Sequence, residues 1–582
     1  VNLQRVDWLA VALYFVFTMI VGVAYSRRAS ASMAEFFVSG RRLPWWLAGT
    51  SMVATTFAAD TPLAVTGLVA NNGIAGNWLW WNFLMSGMLT VFFYARLWRR
   101  SGVITDVEFT EIRYSGKPAA ALRAFRALYL ALPINAIIMG WVILAMVKIL
   151  GITLGVGRTS AIGISLAVVL IYSTLSGLWG VVVTDFLQFA IAMTGSILLA
   201  VFAVSAVGGI PGLEQRLAAV YPSSASLFRF VPEIGSAWMP LSAFLVYIGV
   251  QWWAAWYPGA EPGGGGYIAQ RIFSAKDEKH SLLATLWFNV AHYALRPWPW
   301  ILVALASMAL YPGLADKEAG YVRTMVDYLP SGLLGLMLAA FFAAFMSTIS
   351  TQLNWGSSYL INDFYRRFLA RNRSESHYVL ASRVATVLMM AIAVLATLSM
   401  QTIGGAWRFL LAIGAGSGSV YILRWYWWRI NAWSEISAMA ASLVTALTLQ
   451  LGFGLSTEKP ADFAILMLIT VGVTTTVWLA VTFLTRPESD ETLFEFYRRV
   501  RPGGPGWERV RTALGMGSGD SLWPDFRDWL AGCVLVYASL FGIGKLVLAQ
   551  WGPAFGYLLL AALSGWLIYR DLSARGWEQL AR

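Results

Sequence analysis

Apolar runs of about 20 residues, each long enough to cross a hydrocarbon core, recur from one end of the chain to the other. So many separate runs of that length restrict the chain to a polytopic helical membrane protein, because a lipid-exposed backbone must satisfy its own hydrogen bonds within helices. Composition agrees. Of 582 residues, 58% are hydrophobic and 12% charged, against roughly 25% charged in soluble domains. About fifteen spans can be placed by run length: 6–26, 45–71, 77–98, 127–152, 159–177, 180–207, 239–270, 281–311, 332–362, 378–401, 404–428, 434–455, 462–484, 526–548 and 553–571. The first, WLAVALYFVFTMIVGVAY, is followed by Arg27 and Arg28 rather than preceded by a basic segment. It reads as a retained helix with its N-terminus outside, not a signal peptide.

A net charge of +12 would suggest a nucleic-acid partner in a soluble protein. Threaded with the N-terminus outside, however, the inner segments hold about 31 of the 42 Lys and Arg and the outer ones about 8. The charge is thus the positive-inside signature of an integral protein of the cell (inner) membrane with a cytoplasmic C-terminus; its partner is the lipid bilayer, and no nucleic acid is expected. One cysteine, Cys533, excludes an internal disulfide, and His280, His292 and His377 are too scattered for a Cys/His metal cluster. The longest polar segment, 485–525, reads as a cytoplasmic linker without a phosphate-binding loop or kinase-like pattern. No nucleophile, base and acid spacing supports an enzyme, and no obligatory protein partner is evident.

Two spans are interrupted. The second carries Asp60 and Pro62 in its middle, and Pro62 can neither donate to the Ala58 carbonyl nor pack beside it in a helix. The seventh is broken by YPGAEPGGGG, with Pro258, Pro262 and four glycines. Either break alone is an ordinary kink. Two of them five spans apart are the pattern of an inverted-repeat transporter whose broken helices meet at a midplane site, as in the LeuT architecture.

Ser347, Thr348, Ser350 and Thr351 crowd into five consecutive positions of an apolar run. At about 100° per residue, Ala344, Ser347, Thr348 and Thr351 share one arc of the helix. Such hydroxyls can bond back to their own helix and let neighbours approach. Four of them beside a broken helix also suit a small hard cation, which takes oxygen ligands.

At this point the chain resembles the sodium:solute symporters over roughly residues 6–455. The resemblance rests on EFFVSGRRLPWWLAGTSMVATTFAAD, GLWGVVVTDFLQ, YIAQRIFSAKDEKHS, AAFFAAFMSTISTQLNWGSSYLINDFYRR and LRWYWWRINAWSEI, in this order and spacing. It implies an all-α LeuT-type five-plus-five inverted repeat with one extra N-terminal and about four extra C-terminal helices. The parts would be an N-terminal helix and loop (1–44), a first repeat (45–207), an extracytoplasmic loop (208–238), a second repeat (239–430), two further helices (431–484), the linker (485–525) and two C-terminal helices with a tail (526–582). It also implies a main sodium site made by the carbonyls of Ala54, Phe57 and Ala344 and the hydroxyls of Ser347 and Thr348. A second sodium, present in some members, would use Asp185 with Ser350 and Thr351, so that one or two sodium ions accompany each solute.

The family's sugar carriers have Glu-Gln where this chain has Asp60-Thr61, and the Gly-rich break is longer than in sugar or proline carriers, so the solute does not carry over. Candidate substrate residues at the two breaks are Asp60, Thr61, Trp80, Trp81, Gln251, Trp256 and Glu261. The tryptophans suit either interfacial packing or stacking on a ring or ammonium. Asp60 and Glu261 are expected to make one acidic cavity for a substrate amine or several hydroxyl donors, unless a side chain such as Arg271 balances one of them. Lys148, Arg296 and Lys545 read as snorkelling residues at span ends. The expected function is a symporter that couples sodium entry to import of a small polar organic solute by alternating access. The alternative is a transporter-like solute sensor acting on a separate partner.

Overall fold

The computed structural model describes residues 3–29, 41–103, 105–173, 178–257, 259–517 and 519–576. Among these the chain is almost wholly helical, with one isolated bridge between Leu43 and Ala275 as its β content. Pro258 and residues 30–40, which include the start of the first family motif, lie outside the described residues.

In chain order the helices are α1 (Arg5–Ala29), α2 (Trp45–Thr56), α3 (Asp60–Asn72) and α4, a run of short segments over 78–101. They continue with α5 (Gly116–Leu154), α6 (Arg158–Ser173), α7 (Leu178–Ala206), α8 (Leu241–Ala254), α9 (Gly266–Ser274) and α10, over 278–310. Next come α11 (Leu333–Leu369), α12 (Glu375–Ser399), α13 (Ile403–Ile413), α14 (Ser417–Tyr426), α15 (Ala432–Gly452) and α16 (Pro460–Leu484). An amphipathic α17 (Asp490–Val500) precedes α18 (Trp523–Val547) and α19 (Trp551–Ala574). Among the described residues, each of the fifteen expected runs contains helix. Eight of the described helices are by themselves long and apolar enough to cross a membrane, or ten if each bent pair counts once. Several other runs are shortened by the interruptions described next.

The second span breaks as expected, but not at Pro62. The helix stops at Thr56, bends by 62° through 57–59, and restarts at Asp60. Pro62 is the third residue of α3, in the first turn, where its missing N–H leaves no helical bond unmade. The Phe57 N–H closes the end of α2 on the carbonyls of Val53 and Ala54, at 2.9 and 3.0 Å. The seventh span opens more widely, between Ala254 and Gly266. Its glycines are needed there: Gly263 and Gly264 hold φ of +78° and +74°, a region costly for residues with a Cβ. A Cβ on Gly264 would also lie 2.8 Å from Trp98 Nε1, the group that donates to the Gly263 carbonyl. Gly264→Ala is therefore expected to lower stability by about 1–3 kcal/mol. Thermal melting in detergent checks this against Gly157→Ala, where an added Cβ meets nothing within 4 Å. A third break, of 55° between α13 and α14, was not expected; Gly414 and Gly416 stand at it.

α2, α7 and α11 pack against one another at the centre, while α5 and α10 flank α3. Exposed leucines such as Leu395, Leu451 and Leu484 stud the outer helices, which suits a surface facing lipid tails. α17 lays its apolar face, with Phe496 and Val500 buried, against Trp507 and the end of α4.

Candidate ion and solute site

The hydroxyls of α11 meet an acid. Asp185 of α7 is fully buried and accepts hydrogen bonds from Ser51 of α2 at 2.8 Å and from Ser347 of α11 at 3.0 Å. Arg271 of α9 comes within 3.9 Å of the same carboxylate and donates to Thr55 Oγ1 at 3.1 Å and to Gln270 Oε1 at 2.9 Å. Four helices distant in sequence thus share one polar knot. Ser350 donates to the Ser347 carbonyl at 3.2 Å, so one of the four hydroxyls does bond back to its own helix. Thr348 differs: its buried Oγ1 has no hydrogen-bond partner, an arrangement that costs free energy unless something else supplies one.

Thr348 lines a small cavity beside the α2–α3 break, with Thr55, Thr56, Ala58, Asp60 and Thr61 on one wall. Trp80, Trp141, Tyr257, His292, Arg296, Gln352 and Trp407 are among its other walls, around a volume of about 60 Å³. That holds a few waters but no sugar, so solute entry requires movement of the wall. Asp60 is 3% exposed, and its Oδ1 has no hydrogen-bond partner.

Arg296 does not snorkel. It is 2% exposed, six residues past the start of the π-helical segment of α10. It donates through Nη1 to Thr56 Oγ1 at 3.1 Å and through Nη2 to His292 Nε2 at 3.3 Å. Because that nitrogen accepts, His292 carries its proton on Nδ1 and points it at Thr56 Oγ1, 3.1 Å away. Hydropathy reads a charge in an apolar run as the run's end, which hid this residue; the i, i+4 spacing of His292 and Arg296 was the signal available.

The other expected substrate residues divide. Asp60, Thr61 and Trp80 line the cavity, Trp80 stacking on Tyr293 and meeting His292 edge-on. Trp81, next in sequence, points elsewhere and packs on Phe541. Gln251 is fully buried and donates to the Leu79 carbonyl, tying α8 to α4. Trp256 sits against Gly414 beside a different cavity, with Tyr129 and Tyr421. Glu261 does not join Asp60. It lies near Asp106 and Arg126, where Gly266 N–H and Tyr359 OH donate to Asp106 and Arg126 pairs with Glu435 at 3.3 Å. The long Gly-rich segment carries it away from the cavity, and Arg271 balances Asp185 rather than either of these acids. Ala54 and Phe57 stand at the α2 terminus, and Ala344 is buried one turn before Thr348 on α11.

The sequence pattern of the sodium:solute symporter family matches residues 36–444. The chain belongs to that family. A sodium/glucose cotransporter of Vibrio parahaemolyticus is 25% identical over 475 residues, 77% of this chain and 86% of that one. Sodium/glucose cotransporter 1 of Oryctolagus cuniculus is 25% identical over 470 residues, 73% of this chain and 69% of that protein. The structure of a Na+-coupled sialic acid symporter, solved substrate-bound and outward-open, aligns with a TM-score of 0.66 at 20% identity, over 84% of this chain and 99% of that one. The fold is therefore LeuT-type, and this symporter is an integral membrane protein of sodium-coupled transport rather than an enzyme.

A buried carboxylate ties α3, α5 and α13 together. Glu318, between α10 and α11, accepts from the backbone N–H groups of Ile403 and Gly404 at the start of α13, at 2.9 and 3.0 Å. Its other oxygen is 2.7 Å from Lys148 Nζ, and its stem covers Gly67 of α3. Lys148, expected to snorkel, is instead ion-paired here. Glu318→Gln keeps the shape but removes the charge that a helix N-terminus and Lys148 both favour. The expected loss is about 1–3 kcal/mol of local stability, read as hydrogen exchange at Ile403 and Gly404 at least about tenfold faster.

Proposed function

We propose that this symporter imports a small polar organic solute across the cell (inner) membrane by alternating access, driven by inward sodium flow. The ion binds where α2 ends against α11, on the Ala54, Phe57 and Ala344 carbonyls and the Ser347 and Thr348 hydroxyls. One observation carries this reading: the buried Thr348 hydroxyl lacks a partner at the edge of a cavity that Asp60, just past the break, also lines. A hard cation is the partner that a cluster of hydroxyl and carbonyl oxygens suits best.

The basic segments put the N-terminus outside and the C-terminus in the cytoplasm. Glu318 then closes the outer side, and the network of Asp106, Arg126 and Glu435 the inner side. Transport breaks these closures in turn, one bundle rocking against the other. A second sodium at Asp185, Ser350 and Thr351 would share its carboxylate with the Arg271 guanidinium, which already stands 3.9 Å away.

Purified protein in liposomes tests the proposal. Solute accumulation against its gradient under an inward sodium gradient, abolished when potassium replaces sodium, is the expected result. Sodium-dependent binding without accumulation would mark a sensor instead.

A further inference from the structure

The cavity presents two buried charges of opposite sign that do not pair with each other. Asp60 and Arg296 both line it and lie within electrostatic reach. Among the described residues, however, no hydrogen bond or ion pair joins them. Each has one buried polar atom without a partner, Asp60 Oδ1 and Arg296 Nε. Arg296 Nη1 is engaged by the Val53 carbonyl and Thr56, and its ring-face partner is Trp300, 5.2 Å from the guanidinium carbon. With the His292 bond, these contacts engage both terminal nitrogens and leave Nε without a partner. An Nε–H of a guanidinium is a charge-assisted donor that suits a carboxylate oxygen.

We infer that the solute is a small organic carboxylate with a hydrogen-bond donor at its other end, the carboxylate docking on the Nε–H of Arg296 and the donor on Asp60 Oδ1. This rests on the transport reading above and names the solute class for the same site. A solute without a carboxylate would leave the buried Arg296 Nε–H without an anionic acceptor, which costs more than leaving a neutral donor unpaired. A quaternary amine would satisfy Asp60 but face Arg296. With one sodium bound nearby, Asp60, Arg296 and the ion sum to one positive charge, which a hydroxy acid neutralises and a zwitterionic amino acid leaves in place. The donor is an ammonium or a hydroxyl, so amino acids and hydroxy acids share the required chemistry. The walls of Trp80, Trp141 and Trp407 accept the carbon skeleton.

Binding to the wild-type protein in detergent, with sodium, is measured by thermal shift and calorimetry against glycine, L-alanine, L-lactate, D-gluconate, D-glucose and choline. Alaninamide and lactamide serve as uncharged counterparts. At least one carboxylate should bind, its amide at least about 30-fold more weakly, since a buried charge-assisted pair is lost. Amino acids against hydroxy acids identify the donor. Arg296→Lys, which keeps the charge but removes the Nε donor, should weaken the carboxylate more than tenfold while the uncharged amide loses little. The inference is overturned if no carboxylate binds, if only D-glucose or choline does, or if acid and amide bind alike. Because these are binding readouts, carboxylate binding without gradient-driven accumulation would sink the transport proposal and leave this one standing.

Discussion

Sodium-stimulated uptake is expected to fall to background in the double variant Ser347→Ala, Thr348→Ala, while the protein still reaches the membrane. The two substitutions differ in what they remove. Thr348 Oγ1 has no hydrogen-bond partner, so its deletion costs the fold little and takes one oxygen from the proposed ion shell. Ser347 Oγ donates to Asp185 at 3.0 Å, so its deletion also removes a bond from the buried acid, about 1.5–3 kcal/mol for a charge-assisted contact. A transporter that lost only packing would therefore show a modest fall in melting temperature and retain its sodium dependence. One that lost ion ligands would show the reverse for Thr348→Ala alone: near-normal melting and sodium affinity weakened by tenfold or more. Sodium-dependent fluorescence or uptake kinetics on the single variants, read beside their melting curves, separates the two. Unchanged sodium affinity in the double variant would return Ser347 and Thr348 to a packing role.

What the sequence made legible here was set by local physics. Run length marks a membrane helix because the bilayer has a fixed thickness, and among the described residues each of the fifteen runs contains helix. The Gly-rich segment at 259–266 announced its own opening, since glycines with positive φ have few other uses in an apolar span. Pro62 was misplaced by one turn because proline is equally at home after a break as within one.

The site was harder. Ser51, Thr55, Asp185, Arg271 and Ser347 converge from four helices, and nothing local in a sequence says which apolar faces will meet. Arg296 is the clearest case. Its partners Val53 and Thr56 lie more than 200 residues away, so a charge that looks like the end of a span is a buried wall of the cavity. Glu261 shows the converse. Two acids in matching breaks suggested one acidic cavity, but the length of the second break moves its acid to the neighbourhood of Asp106 and Arg126. The cavity is charge-balanced as a result.

Asp185→Asn is expected to cost more stability than any other single substitution near the site. The carboxylate is fully buried, holds Ser51 and Ser347, and faces Arg271 at 3.9 Å. Asn keeps the size but leaves the guanidinium buried without its counter-charge, and breaking such a pair from one side costs about 3–5 kcal/mol. For a membrane protein of ordinary stability that means little folded protein at the membrane. Removing both charges in Asp185→Asn, Arg271→Gln should restore most of the yield, because two neutral amides can still serve Ser51, Thr55 and Ser347. The same pair of variants addresses the second sodium. Where the carboxylate also binds an ion, the rescued double variant transports with a sodium Hill coefficient reduced towards one. Where Arg271 is the permanent counter-charge, the Hill coefficient of the double variant equals that of the wild type. A single Asp185→Asn variant that folds as well as the wild type would show that Arg271 does not depend on this acid, and the ion-pair account of the knot would fail.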